Sequence, residues 1–253
     1  MKLLRDTWLV FGRYFGIFLR NPVWVLVGVL QPALYLILFA PLLGSLTSLP
    51  GFPPGGAYNV FVPGLLIQLG LFGASGVGFG LIAELRAGVI ERFRVTPVSR
   101  VALLLGRALR DVLLILVQSA LIILMALPFG LTIDPLGTLV MLALVALIGV
   151  ATATLAYAVA LKVGDEDTYA PIVFSVNLPL LLLSGVLLPL SFAPGWLRAL
   201  AALNPLSYAV NAARAIFNHQ LADETVVVGV AVSAAMAIIG VTLAARSFQR
   251  AAS

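Results

Sequence analysis

Apolar residues run through this chain in long blocks that charges interrupt only at intervals. Residues 21–83, 112–133, 135–161, 168–197 and 225–245 contain no Asp, Glu, Lys or Arg. A helix that crosses a bilayer needs ~20 mostly apolar residues, so each block holds one crossing and the first holds two. The pattern predicts an all-α membrane protein with six transmembrane helices, near 23–43, 58–82, 97–127, 136–161, 169–190 and 225–245. The stretch "GSLTSLPGFPPGGA" at Gly44–Ala57 divides the first block, because its Pro and Gly residues carry turn chemistry. Thr96 followed by Pro97 reads as a helix start, a capping hydroxyl and then the residue preferred at the first helical position. From Pro97 to Leu127 is about 46 Å at ~1.5 Å per residue. That exceeds the bilayer core, so Arg100, Arg107, Arg110 and Asp111 are expected to project from it, Arg107 and Asp111 as an i,i+4 pair.

Two further segments do not read as crossings. In residues 1–21, Lys2, Asp6, Arg13 and Arg20 fall on one helical side, and Leu4, Trp8, Phe11, Phe15 and Phe18 on the other. This predicts an amphipathic helix lying in the membrane interface. The charges at 6, 13 and 20 also break any cleavable leader pattern. Between the fifth and sixth crossings, Arg198 and Arg214 leave an apolar run too short to span, broken by Asn204 and Pro205. A re-entrant helix pair is expected there, within a single transmembrane domain over residues 1–253.

Composition agrees with the pattern. The chain has 253 residues, 62% hydrophobic and 10% charged, against about 25% charged in a soluble domain. There is no cysteine, which excludes disulfides and thiolate metal sites. The net charge of +5 reads as topology, not nucleic-acid binding. With the N-terminus inside, only Arg198 and Arg214 of the 15 Lys and Arg residues fall outside. That asymmetry places both termini in the cytoplasm. The excess of arginine over lysine suggests a GC-rich bacterial genome, hence a bacterial plasma membrane.

One cytoplasmic connection, "ELRAGVIERFRVTPVSR" from Glu84 to Arg100, packs six charges behind an uncharged run. Two readings stand side by side: a topogenic cluster that holds the loop inside, and a docking helix that presents its acids to a cytoplasmic partner. The residues around it carry a resemblance. Gly88, Glu91, Thr96, Pro97, Val98, Ser99, Arg100 and Gly106 resemble the corresponding loop of type 2 ABC exporter permeases, the daunorubicin-resistance-like group. Val89 stands where Thr is usual and Arg107 where Lys is frequent. A second block, "LSGVLLPLSFAPGWLRALAALNPLSYAVNAAR", is similar to the family's Pro-x-Trp-Leu-Arg and Asn-Pro-Leu-Ser-Tyr-Ala-Val stretch, with Asn211 where Asp is common.

The resemblance implies a transport subunit and not an enzyme. Two permease subunits, identical or paralogous, would each dock a separate ABC ATPase through a coupling helix. Glu84, Gly88, Glu91, Arg92, Thr96 and Pro97 are the candidates for that coupling. ATP and Mg would be bound by the partner, and no GxxxxGK[ST] loop occurs in this chain. The family also implies that spans two and five face the substrate pathway, where Gln68, Phe72, Phe174 and Asn177 are candidate lining residues. An interhelical hydrogen bond is an equal reading for Gln68 and Asn177. A charge-free pathway suits an amphiphilic drug, antibiotic or lipid-like cargo; polysaccharide or lipid-carrier export is the alternative. "GASG" at 73–76 with His219 gives a remote intramembrane serine protease reading. Close helix packing is the simpler account of Gly70, Gly73, Gly76 and Gly80. Secondary transport lacks coupling acids within the spans, and His219 with Asp223 and Glu224 lacks a zinc ligand set.

Overall fold

The computed structural model describes residues 2–20, 23–45, 47, 55–88 and 100–250. Among these the chain is helical, with no strand. Helix α1 (Lys2–Arg20) precedes α2 (Val23–Leu34), a π turn at Tyr35–Phe39 and α3 (Ala40–Gly44). Then come α4 (Gly56–Ser75), α5 (Val77–Arg86) and α6 (Arg100–Ala126), followed by α7 (Pro135–Val163) and α8 (Glu166–Leu183). The last three are α9 (Gly195–Ala202), α10 (Pro205–Phe217) and α11 (Glu224–Arg250). Among the described residues, four stretches are long and apolar enough to cross a membrane: Gly56–Arg86, Val101–Phe129, Pro135–Val163 and Glu224–Phe248. Val25–Phe39 is a shorter apolar helix.

Local chemistry sets many of the ends. Asp134 accepts from Gly137 N at 3.2 Å ahead of Pro135, and Asp165 accepts from Thr168 N at 2.7 Å. Asn204 caps α10 through Leu206 N at 3.0 Å, with Pro205 in the first turn. Each is a side-chain acceptor for an amide that the helix leaves open. Pro32 withdraws an amide from the ladder of α2, and the π turn follows within three residues. The fifth predicted crossing, near 169–190, gives a shorter helix than its hydropathy suggests. It stops at Leu183, where Ser184 Oγ bonds Leu181 O and Gly185 turns the chain at φ 77°.

Helix α4 forms the centre. Every residue from Asn59 to Leu71 is buried, against α6, α7 and α10. A helix apolar all round belongs in such a position. Helix α11 lies along α7 and α10, and two glycines set the approach. A Cβ at Gly240 would stand 2.8 Å from Ala151 O, and one at Gly229 2.6 Å from Tyr208 O. Small residues at such crossings let backbones meet, the main source of packing energy between membrane helices.

Helix α1 also packs by close approach. Asp6, Val10 and Tyr14 form its buried stripe, and Val10 and Thr7 O press on Gly106 of α6. Leu4, Trp8 and Leu9 stay exposed, as an interfacial helix requires. Asp6, assigned by periodicity to the polar face, lies instead on the protein-facing side. The stripe that packs on α6 is narrower than the polar arc.

Candidate functional site

The charged connection begins at the end of α5, and the structure shows what holds that end. Tyr14 OH of α1 donates to Glu84 Oε2 at 2.8 Å, and Arg107 Nη1 of α6 donates to both Glu84 and Tyr14 OH. The Arg107 guanidinium lies 4.9 Å from the Tyr14 ring centroid and 5.5 Å from that of Tyr157 on α7. Tyr157 OH donates to Asp111, which also accepts from Arg110 Nη1 at 2.6 Å. Burial pushes the Tyr14 phenol up to about 12, so it remains a donor to Glu84 at neutral pH. Six side chains from α1, α5, α6 and α7 thus form one connected cluster at the foot of span two.

This corrects the expected pairing on α6. Arg107 bonds Glu84, not Asp111, and Asp111 turns to Arg110 and Tyr157. Arg107 and Asp111 are both buried in protein and do not project into solvent. A charge so placed is stable only with partners around it; Glu84, Tyr14 and Tyr157 come from neighbouring helices, and Arg110 from α6 itself. Tyr14 and Tyr157 escaped the sequence reading. The signal was available: two charges inside an apolar helix demand donors or acceptors, and hydroxyl-bearing aromatics lie at the same level.

Of the coupling candidates, Glu84 holds this cluster to the end of α5, and Gly88 ends the helix. Gly88 sits at φ 67°, and its N–H reaches Leu85 O at 3.1 Å. A left-handed residue at a helix C-terminus favours glycine. Among the described residues, Arg86 makes an exposed 3.9 Å pair with Glu166, which contributes little. Glu91, Arg92, Thr96 and Pro97 lie outside the described residues.

The pathway candidates fall in three places. Phe72 borders a cavity of about 550 Å³ enclosed by α1, α2, α4, α5, α6 and α7. Gln68, one turn before it, is buried, and its Oε1 has no hydrogen-bond partner among the described residues. Asn177 is buried on α8 and donates to Ser75 Oγ at 2.8 Å, an interhelical bond. Phe174 stands exposed on the same helix.

The glycines of span two divide as well. Gly70 packs against Ile148 of α7, 3.1 Å from an added Cβ, and Gly78 lies against the Tyr169 ring. Gly73, Gly76 and Gly80 instead border the cavity, so the close-packing expectation holds for only part of the stripe. At Gly76 the helix breaks between α4 and α5, and Tyr169 OH of α8 takes up Ser75 O at 2.6 Å. Ser75 Oγ donates to Leu71 O, whereas His219 Nδ1 lies 3.4 Å from Asp134. The structure joins no Ser–His pair from these two residues.

Known proteins are similar to this chain in sequence. The chain is 29% identical to a chain named as a transport permease, ycf38, of Cyanophora paradoxa, over 85% of this chain and 75% of the relative. It is 26% identical to the daunorubicin resistance ABC transporter permease protein DrrB1 of Streptomyces coeruleorubidus, over 79% and 71%. Similarity to a doxorubicin resistance ABC transporter permease protein, DrrC, of Mycobacterium tuberculosis is 24%, over 77% and 70%. The family described as ABC-2 type transporter matches residues 5–218, and the chain belongs to that family of transporter permeases.

Proposed function

We propose that this chain is the membrane subunit of an ATP-driven exporter in a bacterial plasma membrane. It crosses six times with both termini in the cytoplasm, and α9 and α10 form a re-entrant pair on the outer side. Two permease subunits assemble, and each docks a separate ATPase through the connection between Glu84 and Arg100. The observation that carries this reading is the Glu84 cluster. The foot of span two is tied to α1, α6 and α7 through side chains, so a push on the connection reaches four helices together. Two relatives are named for resistance to daunorubicin and doxorubicin, which supports an amphiphilic cargo over a charged polymer.

Reconstitution with the ATPase encoded beside this chain is the test. The permease alone should hydrolyse no ATP, and the pair should hydrolyse it and export. Glu91→Ala should leave abundance near normal and abolish export, because losing one member of a desolvated charge contact weakens docking by about 2–5 kcal/mol. Normal export by Glu91→Arg would remove the docking role. Cysteine is absent, so single cysteines at Ser48 and His219 should label from outside, and one at Ser253 only after permeabilisation.

A further inference from the structure

The cavity beneath α1 has features that coupling does not explain. Its volume, about 550 Å³, lies within the ~300–1,000 Å³ of small-molecule sites. Its walls are mixed. Phe72, Val27 and Ile115 supply apolar lining, with the Gln118 amide beside Gly28, and Glu84, Arg107, Arg110 and Asp111 supply the charges. Arg107 and Asp111 are almost wholly covered, but Glu84 and Arg110 keep 25% and 24% of their side-chain surface. The two charges that keep some surface are therefore one of each sign, each already paired within the cluster, and the four together sum to zero. Span two meets the cavity through glycine, and a Cβ added at Gly80 would meet no described atom within 4 Å. Val27 and Ile17, also on the wall, are exposed, so packing among the described residues does not close this side of the cavity.

We infer that this cavity binds an amphiphile with a zwitterionic, net-neutral head, of the phosphoethanolamine or phosphocholine type. The head lies between Glu84 and Arg110, and one acyl chain follows Phe72, Val27 and Ile115. A head of net charge would leave one sign uncompensated in a largely apolar site, a costly arrangement. In the proposed orientation the charges face the cytoplasm, so the ligand enters upright from the inner leaflet. The binding rests on the membrane reading and not on the partner ATPase.

The probe is a lysophosphatidylethanolamine with a diazirine in its acyl chain, offered to the full chain in nanodiscs of phosphatidylglycerol. After irradiation, peptides bearing Phe72 and Ile115 should carry the label. Gly80→Phe, which fills the space, should lower that labelling about tenfold or more without shifting the unfolding temperature. A lysophosphatidylglycerol probe with the same tail should label several-fold less. Gly76→Leu provides a second plug should Gly80→Phe fail to fold. A zwitterionic phospholipid that co-purifies with the wild type and not with the plugged variant identifies bilayer lipid as the source. Label that falls on adding the cognate ATPase and ATP identifies a transported molecule. Three results would overturn the site: full labelling in a folded plugged variant, labelling spread equally onto Val227 and Ile238 of α11, or a disulfide between two copies through Val27→Cys, which would make the cavity a subunit contact.

Discussion

The two ends of span two are held by opposite means. At the Glu84 end, side chains bond side chains: Tyr14, Glu84 and Arg107, then Tyr157, Asp111 and Arg110. At the other end, single polar residues seize backbone. Asn59 Nδ2 donates to Phe217 O at 2.7 Å and Thr132 O at 3.0 Å, and its Oδ1 accepts from Thr132 N. Arg214, buried in α10, donates to Val60 O at 3.0 Å and Gly185 O at 2.7 Å. Carbonyls fixed in helices and turns cannot swing away, whereas carboxylates and phenols change partner by rotating. One end is a fixed anchor, and the other is a set of contacts that a small movement can remake.

Substitution should separate the two ends, and the anchor should respond most. Arg214→Leu removes the side-chain donor from two buried carbonyls, each loss costing about 1–3 kcal/mol. We expect a total loss of roughly 2–5 kcal/mol by thermal unfolding in detergent, with no second-site rescue, since the bonds end on backbone. Arg107→Gln should cost somewhat less, about 2–4 kcal/mol, because Glu84 keeps partial access to water. Here rescue is expected: Glu84→Gln added to Arg107→Gln should recover at least half of the loss, and a double-mutant cycle reads the coupling. Additive losses would show that the cluster is not a unit, and the contrast between the ends would collapse. Tyr157→Phe removes one hydroxyl, about 1 kcal/mol, and should lower export more than it lowers stability.

Acid provides the smallest effect. The Thr168 amide holds Asp165 below the usual carboxylate range, and the Gly137 amide does the same for Asp134. A carboxyl whose folded pKa is depressed stabilises above its unfolded value, about 3.9, and that contribution is lost as pH falls through the folded value. Exchange of the Thr168 and Gly137 amides should therefore quicken, relative to the intrinsic rate, only below about pH 4. The Glu84 cluster should be unaffected by this capping change.

Legibility followed the range of the forces. The apolar blocks and the break at Asn204 and Pro205 are local, and the sequence carries them openly. The pairing of Arg107 was misread because the i,i+4 rule sees one helix, while Glu84, Tyr14 and Tyr157 reach it from three others. The break at Gly76 is equally hidden, since glycine in a membrane helix signals nothing until Tyr169 is seen to claim the carbonyl of Ser75. Residues 73–80 look like one packing stripe, and only the placement of α7 and α8 shows which glycines touch a neighbour and which line a space.

That break makes α5 a lever. Its ten residues extend about 15 Å from the Gly76 joint at ~1.5 Å per residue. A tilt of roughly 10° there carries the end of the arm ~3 Å, about half of one helical turn. Tyr169 holds the joint and Glu84 lies near the tip, so a tilt of this arm would pivot where α8 takes up Ser75 O and would be resisted by Tyr14 of α1 and Arg107 of α6.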